Sequence, residues 1–438
     1  MKNIHLTRPI LSALLVCSLF FNSAAQPSEK IITEKYVQKV IATLASDDMR
    51  GRSALSPDDI NRAATFIEKE FKKAKLKPLT GLNGFRQSFT KKKVALEKLE
   101  VIVDGLPVAE DRLLLSSPEL TISMNSETLM DTIGKNQPLF PSISQFEKKG
   151  GYKIVSVAPE HVENFKIAQN YLSRPKLLDT EATSSGATLY ILGQTKPKTI
   201  QVTASQTEEL VVMNNIVGMI EGKSKKDEFV IFSAHYDHIG IQDPMEGDSI
   251  ANGADDDASG TTAVMTLARY FSKVKSNERT LIFVAFTAEE IGGYGSQYFS
   301  RQLNADKVMA MFNIEMIGKA SKWGSNSAFI TGFERSNFGS ILQKNTEGTF
   351  FSFHPDPYPE QNLFYRSDNA TLARLGVPAH SISTDQIPTD PYYHTVDDEI
   401  ETLDMANIVA AIKAIAQGSK SIVSGQESPS RIDKASVH

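Results

Sequence analysis

The chain has 438 residues, with 41% hydrophobic and 23% charged residues. This is an ordinary globular balance that excludes global disorder and is long enough for one large domain or two smaller ones. A formal net charge of -5 argues against an electrostatic nucleic-acid binder.

In chain order, Lys2 and Arg8 precede an apolar run over 10–21 that is short for a membrane span, followed by Ser23-Ala24-Ala25. The pattern predicts a signal peptide over 1–25, and a mature protein that is secreted or periplasmic with no stable membrane anchor. The single cysteine, Cys17, lies inside that segment, so any metal in the mature chain must rest on His and carboxylates. Residues 26–95 form an N-terminal helical part. Val37, Val40, Ile41 and Leu44 recur at helical spacing, and Ile60, Ala64, Ile67 and Phe71 form a second stripe. Residues 96–205 carry short β-type runs between turn-rich stretches and read as an inserted β-rich module or lid. From 206 to 420 strands and helices alternate. Strands are predicted at 229–234, 281–286, 308–314, 328–331 and 379–383, with helices at 258–274, 295–303 and 405–416. Residues 421–438 are polar and predicted to be disordered. The fold class is α/β: a three-layer sandwich with a mostly parallel, mixed central sheet, plus the inserted module.

The chemistry-bearing residues follow the strands. His235 and Asp237 follow the first, Glu289 and Glu290 the second, and Glu315 the third; Asp255-Asp256-Asp257 precede a helix, and His394 lies in Tyr392-Tyr393-His394. Sites in open α/β sheets form at the carboxyl ends of strands. Each feature has a structural reading of its own: a satisfied rim histidine, a solvated Glu pair, an aspartate N-cap. Convergence argues otherwise, because gathering two His and at least four carboxylates at one sheet edge is costly without cations. Histidine and carboxylate donors without thiolate suit zinc or a similar divalent ion. Their number suggests two metals sharing a carboxylate.

The runs His235-Tyr236-Asp237-His238, 253–260, Ala288-Glu289-Glu290, 313–318 and 393–398 resemble the di-zinc aminopeptidase family, which also contains glutamate carboxypeptidase and the glutaminyl cyclases. Order and spacing agree over about 210–415, and 44–52 and 75–78 also resemble family members. The resemblance implies two Zn2+: Asp256 bridging, His235 and Glu315 completing one ion, and Glu290 and His394 the other. It implies that Asp237 hydrogen-bonds the far nitrogen of His235 and that Glu289 is the general base. Tyr393 matches an oxyanion-stabilising position, a structural tyrosine being the other reading. Glu315 stands where many members have Asp, and Asn369 where the family often has His. His238 and His380 read as structural or rim histidines. The implied function is a secreted, zinc-dependent aminopeptidase acting on peptides. Glutaminyl cyclase chemistry with one zinc, a carboxypeptidase with Arg366 as its basic group, and a metal-free binding module are the alternatives. Oligomeric state is not legible.

Overall fold

A computed structural model describes residues 27–181, 185–193 and 197–437; the predicted signal peptide, 1–25, lies outside them. After a short helical turn at Pro27–Ile31 come two longer helices, α1 (Glu34–Leu44) and α2 (Pro57–Lys73). Their apolar stripes are buried as the spacing predicts, from Val37 and Ile41 to Ile67 and Phe71. Strand β1 (Arg86–Val103) then leaves the central sheet and feeds the inserted segment.

That segment contains β2 (Leu113–Ser116), β3 (Leu129–Ile133), α3 (Leu139–Lys149), β4 (Lys153–Val157), α4 (Val162–Leu172) and β5 (Thr188–Leu192). It adds two helices to the expected strands. Its sheet runs β2-β5-β4-β3, and Ile143, Phe146 and Phe165 of the helices pack on Val155 and Tyr190. The chain returns along β6 (Ile200–Ile220), which pairs antiparallel with β1 over nearly its full length. The insertion is therefore carried on a long two-stranded ribbon continuous with the main sheet.

The remaining elements alternate: β7 (Lys225–His235), α5 (Gly260–Val274), β8 (Arg279–Phe286), α6 (Tyr294–Gln302), β9 (Val308–Ile314), β10 (Ser327–Ile330), α7 (Phe338–Asn345), β11 (Ser352–Pro355), β12 (Ala379–Ser383) and α8 (Met405–Gly418). The central sheet runs β11-β10-β12-β9-β7-β8-β6-β1. Pairs β8–β7, β7–β9 and β9–β12 are parallel; β6–β8 and β10–β12 are antiparallel. This is the mixed, centrally parallel sheet expected from the sequence. Such sheets are buried on both faces, and strand alternation divides the core. Val230, Phe232, Leu281, Phe283 and Phe312 pack toward α1, α2, α5 and α8. Ile231, Ile282, Val284 and Met311 pack toward α6.

The polar tail at 421–437 differs from the predicted disorder. Arg431 Nη1 donates to Val308 O at 2.7 Å, the Ile432 amide donates to Gly376 O, and Ile432 and Val437 are buried in the second core. Four buried apolar residues, Ile422, Val423, Ile432 and Val437, anchor the segment despite its polar composition. Among the described residues, no helix is long and apolar enough to cross a membrane.

Candidate functional site

The parallel strands deliver their last residues to one edge. His235 ends β7, Glu289 and Glu290 follow β8, Glu315 follows β9, and the Asp loop leads into α5. His394 arrives from the segment before α8 with φ +58.

Asp256 lies at the centre. Its Oδ1 is 3.2 Å from His235 Nε2 and its Oδ2 is 3.2 Å from His394 Nε2. Glu315 Oε1 is 3.1 Å from His235 Nε2, and Glu290 Oε2 is 3.0 Å from His394 Nε2. The structure thus brings together His235, Asp256, Glu290, Glu315 and His394. Glu289 and Tyr393 line one cleft with Asp256, Glu290, Glu315 and His394.

The three aspartates have separate tasks. The backbone amides of Asp255 and Asp256 donate to Asp398 at 3.0 Å. Asp257 accepts from the Gly260 and Met316 amides at 3.0 and 3.1 Å, tying the start of α5 to the end of β9. Only Asp256 is left facing both histidines. Buried Arg52 braces the loop. It donates to the carbonyls of Tyr236 (2.8 Å), Leu44 (2.8 Å), Asn252 (2.5 Å) and Gly253 (2.9 Å). Gly253 has φ +56, and a Cβ there would meet the His238 ring at 2.5 Å, so a side chain is excluded on both counts.

Asp237 acts differently from the expectation. Its carboxylate is 3.9 Å from His235 Nδ1, beyond hydrogen-bonding distance; its main-chain carbonyl makes that contact instead, at 3.1 Å. The carboxylate accepts from the Glu289 and Glu290 amides at 3.2 and 3.4 Å. The backbone turns between β7 and its neighbour, so the carbonyl reaches the imidazole while the side chain holds the Glu289-Glu290 turn. Either partner leaves His235 Nε2 free to face the cleft.

From sequence His238 reads as a structural or rim histidine, yet its Nδ1 is 2.7 Å from Glu290 Oε1 and its ring is buried. The signal that could have found it is its spacing three residues after His235. His380 is structural: it bonds Ser336 Oγ and Thr331 O, stacks on Phe338, and burial pushes it down to about 4. Asn369 is buried and accepts from Ser381 Oγ at 2.9 Å, and it is not among the residues that line the cleft.

The electrostatics favour a cation. Burial would lower both imidazoles, but hydrogen bonds to Asp256 and Glu290 raise His394 to about 10. Burial is likewise outweighed at His235, held well above its usual range by Glu315, Glu289 and Asp256. Burial also pushes Glu289 well up, with nearby Glu315 adding to it. Imidazole nitrogens and carboxylate oxygens within about a hydrogen bond of one another, with no thiolate, match the donor set of a divalent ion of the zinc type; the residues present fit such a group.

Residues 215–418 match the model of Peptidase family M28, a span that contains every residue from His235 to His394. A probable leucine aminopeptidase of Trichophyton verrucosum is 33% identical over 210 residues, 46% of this chain and 54% of the relative. A probable zinc metalloprotease of Leptosphaeria maculans is 33% identical over 124 residues, 28% of each chain. The chain spans about half the length of the aminopeptidase relatives it matches. Among solved structures, an aminopeptidase from Aneurinibacillus sp. strain AM-1 superimposes with a TM-score of 0.58 at 18% identity, covering 94% of this chain and 97% of that one. A zinc aminopeptidase from Bacillus subtilis gives 0.54 at 18%, covering 93% and 99%. At such identity the likeness is one of fold, and it extends over nearly the whole chain. The family resemblance drawn from the motifs is borne out.

Proposed function

We propose, from the match of residues 215–418 to the model of Peptidase family M28, that this protein is a zinc-dependent aminopeptidase that removes N-terminal residues from peptides, exported by the predicted signal peptide. The observation that carries the reading is Asp256, with one oxygen toward His235 and the other toward His394, each at 3.2 Å. Two zinc ions would be held there, one by His235, Asp256 and Glu315, the other by His394, Asp256 and Glu290. A divalent ion in such a site supplies Lewis acidity toward a carbonyl oxygen and lowers the pKa of a nearby water.

The chain's own groups do the rest. Glu289 faces the cleft with its carboxyl raised well above the usual range by burial, which suits it to take a proton from water and pass it to the leaving amine. Tyr393 is kept protonated, chiefly by burial and then by the charges of Asp256 and Glu290. Its phenol can donate to an oxygen gaining charge. Glu315, whose second oxygen accepts from Ser367 Oγ at 2.6 Å, offers a fixed carboxylate to a free α-amine.

Hydrolysis of aminoacyl p-nitroanilides with and without chelator, together with zinc content per chain, tests the reading. Chelator-sensitive release with about two zinc ions is expected. Glu289→Gln should keep the metal and lose about 10²- to 10⁴-fold in turnover; retained turnover removes Glu289 as the base. About one zinc and no amide cleavage would favour cyclase chemistry. A carboxypeptidase reading is favoured by one observation, the guanidinium of Arg366 on the cleft wall. Release from N-acetylated peptides with free C-termini would support it.

A further inference from the structure

The cleft holds about 560 Å³ of open space in all, and part of its lining lies away from the metal-site carboxylates and His394 and forms a recess. Its walls are apolar: Met316, Phe329, Leu363 and Ile387. The hydroxyls along it are already engaged. Ser367 donates to Glu315, Ser381 to Asn369, and Ser383 to the Met316 carbonyl, while Thr331 Oγ1 accepts from the Ser381 amide. One polar group remains. Asp385 lines the recess, is 2% exposed, and among the described residues no hydrogen-bond donor reaches either carboxylate oxygen.

Behind Asp385 lies a second acidic group. Oxygens of Asp255, Asp385 and Asp390 fall within 4.8 Å of one another. A single ammonium faces them: Lys319 Nζ is 2.5 Å from Asp390 and 3.4 Å from Asp255. Three acids against one base leave the cluster short of positive charge. Burial first, then the charges of Asp255 and Asp390, push Asp385 up to about 9. Of the three acids only Asp385 lines the recess, so a cation supplied from the cleft would meet this one. Arg366, at the exposed rim, is engaged elsewhere, 3.3 Å from Gln361 Oε1 and 3.5 Å from Tyr393 Oη.

The Glu315 amide bonds the Ile382 carbonyl at 3.0 Å, so the end of β12 lies beside the site. Asp385 follows two residues beyond Ser383 and lines the same cleft as Glu315 and His394.

We propose that this recess receives the side chain of the N-terminal residue and that Asp385 selects a long, cationic one, lysine or arginine. The assignment rests on the aminopeptidase reading of the same site. The apolar walls cover the methylene stem while the charged head meets the carboxylate.

The test compares binding of lysinamide and norleucinamide, which share the α-amine and the aliphatic stem, to the zinc-loaded protein by calorimetry. Wild-type protein should prefer lysinamide at least about tenfold. Asp385→Asn should erase the preference while leaving norleucinamide within about threefold. Equal binding of the two amides to wild-type protein overturns the proposal without recourse to any variant, as does a preference that survives in Asp385→Asn. Hydrolysis of the matching p-nitroanilides separates the two readings. A lysinamide preference without cleavage of either anilide leaves the recess assignment standing and removes the aminopeptidase reading. Cleavage of both anilides without the preference does the reverse.

Discussion

Replacement of Arg52 by alanine should be among the most damaging single changes in the chain, although Arg52 lies outside the cleft. The guanidinium is fully buried, and its four contacts of 2.9 Å or shorter all go to main-chain carbonyls. Removal strands those carbonyls, each at a cost of about 1–3 kcal/mol when water cannot replace the donor. Partial relaxation makes the sum less than additive, and a net loss of about 4–6 kcal/mol is expected, a large share of a typical domain's 5–15 kcal/mol. Two of the carbonyls belong to Asn252 and Gly253, immediately before the loop that aims Asp256. The loss should therefore appear twice: in urea unfolding of the metal-free protein, and as at least about a tenfold weaker zinc affinity in chelator competition. Arg52→Lys keeps the charge but not the planar fork and should recover only part of each. An Arg52→Ala protein within about 1 kcal/mol of wild type, with unaltered zinc affinity, would refute the bracing role.

Zinc affinity should rise with pH. His394, raised to about 10, and His235, raised well above its usual range, carry protons in the metal-free protein at neutral pH, and each must leave before its Nε2 can bind a metal. Affinity should fall by up to about a hundredfold per pH unit on acidification; chelator competition giving the same constant at about pH 6 and 8 would contradict this. Asp237→Asn leaves at most one acceptor oxygen for two amides, those of Glu289 and Glu290. It should cost about 1–3 kcal/mol in unfolding experiments and lower kcat more than it raises KM. Gly253→Ala must place a methyl group against the His238 ring in a left-handed backbone conformation; thermal unfolding should show a loss of about 1–3 kcal/mol or more.

The strands and the donors were legible in sequence for the same reason. A parallel strand buried on both faces is a continuous apolar run, as at 229–234 and 281–286, and the first polar residue after it is the one the sheet edge presents. His235, Glu289, Glu290 and Glu315 follow such runs and meet at one edge. What sequence could not give is direction around a turn. Asp237 has the residue type and spacing of a partner for His235, yet the backbone sends its carbonyl to the imidazole and its carboxylate to the Glu289-Glu290 turn. His238 carries only its spacing after His235 as a local signal, and its contact with Glu290, 52 residues on, is visible only in the fold. The two helices of the insertion were hidden by length, since an 11-residue segment such as Leu139–Lys149, with proline inside it, carries few periodic positions. Asp385 shows the limit most clearly. In sequence it is one acid in Ser383-Thr384-Asp385-Gln386. Its meaning comes from Asp255 and Asp390, reached from other segments, and from the serine hydroxyls that line the recess being already engaged. An unpartnered buried carboxylate is a property of the surroundings, and the surroundings are long-range. The roles most firmly readable from a single chain are therefore those set by position along an element, whereas specificity, set by what fills the space between elements, requires the fold.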